Sequence, residues 1–162
     1  MISAGLTACG VAMGANYYLE QRRSEHSSTT KRLNAMTDDV KADTERVAMR
    51  AETMRGVIGD DKKRMAALQK TIKANKVDTE AARTELAQID KNLEIMRKEL
   101  GVMKTKSTNY QEALAKEGAD NKLKKADVAK MDGEIQKLNK QVAMLEKEID
   151  SVYTQRSAIT LG

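Results

Sequence analysis

The sequence predicts an all-α protein whose main part is a long helical coiled coil. One heptad register runs without interruption from Thr30 to Ile159, and most of its first and fourth positions, a and d, hold apolar residues. A period of 3.5 residues maintained over this length is typical of coiled-coil helices. The chain contains no Pro, Phe or Trp. The absence of proline suits a long helix, because proline removes a backbone donor and clashes with the preceding turn.

The first element, residues 1–19, is predicted to be an apolar helix. The run from Ile2 to Leu19 carries no charged residue, and as a helix it would measure about 27 Å, close to the thickness of a bilayer core. Its small residues favour close packing of helix backbones, either in lipid or against other subunits of an assembly. The residues predicted to form this packing surface are Ala4, Ala8, Gly10, Ala12 and Gly14.

Aromatic and basic residues lie at the end of the apolar run. Tyr17 and Tyr18 are close to its last residue, and Arg22 and Arg23 follow within one helical turn. Tyrosine rings and cationic side chains are enriched where a helix leaves the bilayer. These four residues are therefore predicted to be interface anchors. The chain is expected to be membrane-associated, in a bacterial envelope or in a virion or secretion assembly, on a side of the membrane that the charges leave open.

The five residues from Leu6 to Gly10 read LTACG and resemble the lipobox of bacterial lipoproteins, whose cysteine is lipidated after a signal peptide is removed. This resemblance implies an envelope protein with a lipid anchor on Cys9. The sequence departs from the motif's usual context, because the apolar run continues to Leu19 instead of turning polar after the cysteine. The other interpretation of Cys9 is a small apolar residue within a helix.

A hinge is predicted for residues 20–30, between the apolar helix and the heptad register. The stretch from Ser24 to Thr30 reads SEHSSTT, and such side chains compete with the backbone for hydrogen bonds and weaken a helix. The register that follows is predicted to form a long coiled-coil helix over residues 31–115, a turn over 116–121 and a second coiled-coil helix over 122–159.

Glycine and polar core positions determine where the turn is predicted. Two stretches combine Gly with Asp, at residues 56–61 and 116–121, and each has residues that favour the end of one helix and the start of another. The second is the stronger signal, because core positions around it turn polar at Glu117 and Lys124. Polar side chains are costly inside a helical seam but natural in a turn.

Folding the chain back about Ala119 gives a helical hairpin with seven apolar core layers, from Tyr110 opposite Val128 to Leu86 opposite Val152. The alternative is one continuous parallel coiled-coil rod, because exposed charge pairs contribute too little to decide between the two. In both arrangements the strongest part of the seam is the predicted oligomerisation surface. Its residues are Leu86, Ile89, Leu93, Met96, Leu100, Met103, Val128, Met131, Ile135, Leu138, Val142, Leu145, Ile149 and Val152.

The seam between Thr30 and Thr79 is weaker, because it holds several Thr residues at a positions together with Asp61 and Asn75 at d positions. A helix with so few apolar core residues is only marginally stable in water. The sequence therefore predicts that this half pairs with a partner, which would be a second copy of the chain or another helical subunit.

No catalytic, cofactor-binding or metal site is predicted, and the chain is not expected to be an enzyme or to bind a small-molecule substrate. It has one His and one Cys, too few for the common zinc spacings. The adjacent acids Asp38 with Asp39 and Asp60 with Asp61 point about 100° apart on a helix, which is poor geometry for joint ligation. Both pairs are predicted to lie on a solvated face.

The predicted function is that of a non-enzymatic structural protein, a coiled-coil tether or scaffold anchored in a membrane or a larger assembly. The alternative is a virion or secretion-machine component whose N-terminal helices form a tube or penetrate a membrane. A basic nucleic-acid-binding rod is the weaker alternative. The formal charge is +5, but 29 Lys and Arg are mixed with 24 Asp and Glu, which is typical of solvated helix faces and makes nucleic acid an unlikely partner.

Overall fold

The computed structural model describes residues 14–119 and 124–162. These residues form four helices and no strand, so the all-α prediction is confirmed. In chain order the helices are α1 (Ala15–Glu25), α2 (Thr29–Lys73), α3 (Thr79–Gly118) and α4 (Lys125–Ser157). The three long helices far exceed the roughly 12 residues of an average globular helix.

The connection between α1 and α2 is shorter than the predicted hinge of residues 20–30. α1 continues to Glu25, and the N–H of His26 still donates to the carbonyl oxygen of Arg22 at 3.0 Å. Residues 26–28 alone separate the two helices. The serine-rich stretch thus interrupts the helix, as its competing side chains predict, but over one short segment.

The structure corrects the prediction of a single helix over residues 31–115. This stretch forms two helices, with a break at residues 74–78 between α2 and α3. The Gly and Asp residues at 56–61, in contrast, lie inside α2. Glycine costs about 1 kcal/mol relative to alanine in a helix. Burial of one face of α2 offsets that cost, because tertiary packing supplies most of the stability of helices in proteins.

Asn75 is the residue that ends α2. Its backbone has a φ of 52°, a left-handed conformation that asparagine adopts more readily than most residues with a side chain. The N–H of Asn75 donates to Ile72 O at 3.1 Å, and the N–H of Lys76 donates to Thr71 O at 3.0 Å. This bond pattern is the Schellman motif, which satisfies the last carbonyl groups of a helix and reverses the chain.

Asp78 begins the next helix. Its Oδ1 accepts a hydrogen bond of 3.0 Å from the N–H of Ala81, the usual contact of an N-cap residue with a donor in the first turn. An asparagine suited to a left-handed C-terminal cap and an aspartate suited to an N-cap therefore stand three residues apart. That spacing was the sequence signal for this break.

The described residues form two compact units. Residues 14–49 and 101–143, without 120–123, hold α1 and parts of α2, α3 and α4, and we call this part the four-helix unit. Residues 50–100 and 144–162 hold the remaining parts of α2, α3 and α4, and we call this part the three-helix unit.

In the four-helix unit, α2 and α3 are antiparallel. Arg32 Nη2 lies 3.1 Å from a carboxylate oxygen of Glu117, and further along α2 the carboxylate of Asp43 lies 3.0 Å from Lys106 Nζ. Residue numbers rise along α2 as they fall along α3. The weak seam of α2 therefore finds a partner within the same chain.

In the three-helix unit, α2 and α4 are parallel. Arg55 Nε lies 2.9 Å from Glu148, and Gln155 Nε2 donates to the carbonyl oxygen of Lys62 at 3.3 Å. In both pairs the two residues are 93 positions apart, so residue numbers rise together along the two helices. α2 thus packs beside the second arm of the predicted hairpin.

α3 and α4 are antiparallel in the three-helix unit. Arg156 Nε lies 2.7 Å from Asp90 Oδ1. The guanidinium carbon of Arg97 lies 4.0 Å from the centroid of the Tyr153 ring. The chain therefore folds back on itself between these helices, as the hairpin predicts, and does not continue as one straight helix.

The fold-back point differs from the predicted one at Ala119. In the three-helix unit Asp90 pairs with Arg156, and residue 123 lies midway between them in sequence. In the four-helix unit the Ser107 hydroxyl bonds to Asn139, and the same residue lies midway. Since α4 begins at Lys125, three residues later than predicted, the facing layers are shifted by about one heptad.

The predicted seam residues are buried, with one exception. Val128, in the first turn of α4, is half-buried. The buried members are Leu86, Ile89, Leu93, Met96, Leu100, Met103, Met131, Ile135, Leu138, Val142, Leu145, Ile149 and Val152. The heptad pattern thus identified the inward-facing positions of α3 and α4 even though it placed the two helices in a different register.

Candidate functional site: the face that holds α1

α1 lies against α2 and α3 of the four-helix unit. Two of its apolar residues, Ala15 and Leu19, are 3% and 2% exposed, and they lie four residues apart on one face of the helix. Tyr17, on another face, is 55% exposed. This single buried face shows which side of α1 packs on the rest of the unit.

Tyr18 and Arg22 join α1 to Asp39 of α2. The Tyr18 hydroxyl donates to Asp39 Oδ2 at 2.6 Å, and Arg22 Nε donates to the same oxygen at 2.8 Å. Arg22 also pairs with Glu25 on its own helix. Hydrogen bonds to a charged group contribute about 1.5 to 3 kcal/mol, so Asp39 is a strong attachment point for α1.

Tyr110 of α3 connects this network to Asp43 of α2. Its ring meets the Tyr18 ring edge-on, with centroids 5.4 Å apart, an arrangement that aromatic pairs prefer. The Tyr110 hydroxyl donates to Asp43 Oδ2, and Lys106 Nζ donates to Asp43 Oδ1 at 3.0 Å. Each of these polar groups is satisfied by a residue of another helix.

Burial and neighbouring carboxylates change the acidity of both phenols. Loss of solvation raises the pKa of Tyr18, and the hydrogen bond to Asp39 raises it further. The pKa of Tyr110 is raised in the same way by burial and then by Asp43. A phenol that donates to a carboxylate must keep its proton. Both hydroxyls therefore act as structural donors and not as proton-transfer groups at neutral pH.

Glu117 forms a second attachment point near the end of α3. Its side chain is 3% exposed, and its two oxygens accept from Arg23 of α1 at 2.9 Å and from Arg32 of α2 at 3.1 Å. Glu117 was predicted to lie in a turn because a carboxylate is costly in a seam. Two guanidinium groups neutralise that charge, so the helix continues through it to Gly118.

Asp39 of α2 and Tyr110 of α3, which contact α1, each belong to a stripe of residues on one face of their helix. Met36, Asp39 and Asp43 are three or four residues apart on α2, and Tyr110 and Ala113 are three apart on α3. Residues with these spacings share a helix face. Met36 and Ala113 are both fully buried. We define the α1 docking face as three residues of these helices that contact α1, Asp39, Tyr110 and Glu117.

A polar layer lies inside the three-helix unit. Asp61 of α2 is 1% exposed, and both its oxygens accept from Asn92 Nδ2 of α3, at 3.2 and 3.1 Å. Asn92 in turn accepts from Gln88. Burial raises the pKa of Asp61, although Asn92 and Arg64 oppose the shift. The prediction of a solvated Asp61 was wrong, because the residue occupies a d position that the fold covers.

Arg50 and Glu99 form a close ion pair in the three-helix unit. Both guanidinium nitrogens Nε and Nη2 donate to the carboxylate, the first at 2.6 Å. The two side chains are 12% and 10% exposed. A two-point contact of this kind restricts the relative position of α2 and α3 more strongly than a single bond.

The predicted anchor residues divide into two groups. Ala4, Ala8, Gly10 and Ala12 lie outside the described residues. Gly14 precedes the first residue of α1 and has open space where a side chain would stand.

The predicted interface anchors lie on α1. Tyr18, Arg22 and Arg23 contact α2 and α3 of the same chain, while Tyr17 is exposed. Their role at a membrane interface stays a prediction, and their contacts with Asp39 and Glu117 were not foreseen. The available signal was the tyrosine at seam position 110, because a buried hydroxyl needs a partner.

Residues 14–119 and 124–162 lack both a membrane-spanning helix and a cluster of metal ligands. None of the helices in these ranges is both long and apolar enough to cross a membrane. The same ranges contain no group of three or more His, Cys, Asp or Glu side chains arranged to hold a metal ion.

The fold and these contacts define the class of the protein as all-α, with two units that are each held together by buried apolar residues and by charged pairs between helices. Comparison of the chain with protein families, with curated proteins and with solved structures gave no match.

Proposed function

We propose that this chain is a non-enzymatic structural protein, a helical scaffold that its N-terminal apolar segment anchors in a membrane or a larger assembly. The helices after the anchor would hold or space partner subunits, either further copies of the chain or other helical proteins.

The observation that carries the proposal is how the buried polar side chains are used. Seven are buried in the described residues, and six of them bond to a side chain of another helix. The seventh, Thr37, bonds to the carbonyl oxygen of Leu33 on its own helix. The six are Asp43, Asp61, Asn92, Glu99, Ser107 and Glu117. Because these buried polar side chains bond to other helices of the protein, they support a structural role for it.

The anchor is tested by fractionating bacterial cells that produce the full chain with a tag after Gly162. We expect the chain in the membrane fraction, and we expect Leu6→Arg with Ala12→Arg to move it to the soluble fraction, because two cations in a membrane-spanning helix are costly. The matched control is Ala143→Arg with Ser151→Arg, at two exposed positions of α4. A chain that is soluble without any substitution would refute the membrane anchor.

Two further measurements separate the kinds of anchor. Cys9→Ser abolishes membrane association if the anchor is a lipid on that cysteine, and leaves it unchanged if the apolar segment itself inserts. An alkaline carbonate wash releases the chain if it is held by other subunits and retains it if it is embedded in lipid. Light scattering of the purified chain then gives the number of copies in the assembly.

A further inference from the structure

The helix α1 occupies residues that the predicted membrane-spanning run would also need. That run extends from Ile2 to Leu19, and its last five residues are the first five of α1. Of these, Ala15 and Leu19 are buried and Tyr18 bonds to Asp39 of α2. The same side chains cannot face lipid and the α1 docking face at once.

Helix length shows that the run cannot cross a bilayer while its last residues stay in docked α1. The whole run from Ile2 to Leu19 would measure about 27 Å as a helix, which approaches the roughly 30 Å of a bilayer core. Without the part that belongs to α1, residues 2–14 would reach only about 20 Å. A full crossing therefore requires the start of α1 to leave its docking face.

We infer that α1 is a releasable strap, which either docks on α2 and α3 or joins the preceding apolar run in a lipid bilayer. This inference rests on the proposed membrane anchor. The docked state keeps the last turns of the run away from lipid, and release would make a segment of spanning length available.

The contacts of the docked state suit an exchange of this kind. α1 has 11 residues, and an isolated helix shorter than about 12 to 15 residues is marginal in water, so it depends on its docking face. Its attachments at Asp39 and Glu117 are polar. Water replaces such bonds readily on release, whereas Ala15 and Leu19 regain an apolar environment in the bilayer.

The first test weakens the docked state without changing the apolar run. Asp39→Asn removes the charge that holds Tyr18 and Arg22, and Asp38→Asn is the matched control, since Asp38 is exposed and carries the same charge. The purified full chain is floated with vesicles of phosphatidylcholine and phosphatidylglycerol. We expect Asp39→Asn to raise the vesicle-bound to free ratio about tenfold over the control, since loss of one charged hydrogen bond is worth about a factor of ten.

The second test locks the docked state. Asn16 and Lys116 are both exposed, and their side chains bond to each other. In a Cys9→Ser background, Asn16→Cys with Lys116→Cys is joined by a short bismaleimide. Arg55→Cys with Glu148→Cys, at another pair of joined side chains, is the matched control. We expect the first link to reduce vesicle binding at least tenfold and the second to leave it unchanged.

The outcomes separate the strap from the anchor. If the chain binds vesicles equally well with and without the lock at positions 16 and 116, the strap is refuted and the anchor survives. If neither the unsubstituted chain nor Asp39→Asn binds vesicles, the anchor fails and the strap with it. Hydrogen exchange confirms release only if the amides of α1 lose protection when vesicles are added.

Discussion

At the scale of single residues, this protein uses buried charge to join helices. Glu99 and Glu117 are both buried, and each meets one or two guanidinium groups. A buried charge is costly unless a partner and hydrogen bonds neutralise it. Such pairs therefore contribute to the choice of helix partner, while the apolar interior contributes most of the stability.

Removing the carboxylate charge of Glu99 should destabilise the protein more than the same change at Glu148. Glu99→Gln weakens a two-point contact with Arg50 that is almost excluded from water, and we expect a loss of about 1 to 3 kcal/mol in unfolding free energy. Glu148→Gln changes a more exposed pair with Arg55 and should cost less than about 1 kcal/mol. Urea unfolding measures both, and equal losses would contradict the difference in burial.

Asp61 should make the stability depend on pH. Its pKa is raised in the folded state, so protonation favours the fold. The contribution is fully present below the unfolded pKa of about 3.9 and is lost as pH rises through the folded value.

The variant Asp61→Asn carries no charge at this position, so it should gain stability relative to the unsubstituted protein between pH 4 and pH 8. Urea unfolding across this range measures the difference. Asp132→Asn, at an exposed position of α4, is the control and should show no such trend. A constant difference between Asp61→Asn and the unsubstituted protein would contradict the burial of the charge.

At the scale of helices, the break between α2 and α3 depends on a few residues with special backbone roles. Asn75 has a positive φ, and Asp78 caps α3 through its side chain. The heptad register continues across this break in the sequence. Local capping therefore outweighs a repeat that would otherwise continue one helix.

The two caps can be tested separately. Asn75→Val places a β-branched residue at a φ of 52° and should cost about 1 to 2 kcal/mol, whereas Asn75→Gly should change stability by less than about 1 kcal/mol. Asp78→Ala removes the N-cap acceptor and should cost about 1 kcal/mol. Thermal unfolding followed by circular dichroism ranks the three variants. If Asn75→Val were as stable as Asn75→Gly, the left-handed cap would be wrong.

At the scale of the whole chain, α3 and α4 pack antiparallel in one defined register. Asp90 faces Arg156, whereas a fold about Ala119 would have placed residue 90 opposite residue 148. A heptad pattern is unchanged by a shift of seven residues, so apolar layers alone do not distinguish these registers. Specific charged pairs such as Asp90 with Arg156 favour one of them.

This register predicts which engineered cysteines react. In a Cys9→Ser background, Asp90→Cys with Arg156→Cys should be joined readily by a short bismaleimide, and Asp90→Cys with Glu148→Cys should not. The linked product should run as one chain of 17.9 kDa when the protein is diluted with cysteine-free copies. Efficient linking of the second pair, or linking between chains, would contradict the intrachain register.

The inward-facing positions of α3 and α4 follow from sequence alone, because the period of apolar residues and the absence of proline are properties of the chain. Buried residues such as Met96 and Ile149 were predicted for this reason. The break at Asn75, the heptad shift of α4 and the docking of α1 on Asp39 and Glu117 were not. The break at Asn75 depends on local capping residues, which the heptad repeat does not show. The heptad shift and the docking of α1 depend on small differences between helix packings with the same apolar pattern, and side chains distant in sequence must meet before those differences exist.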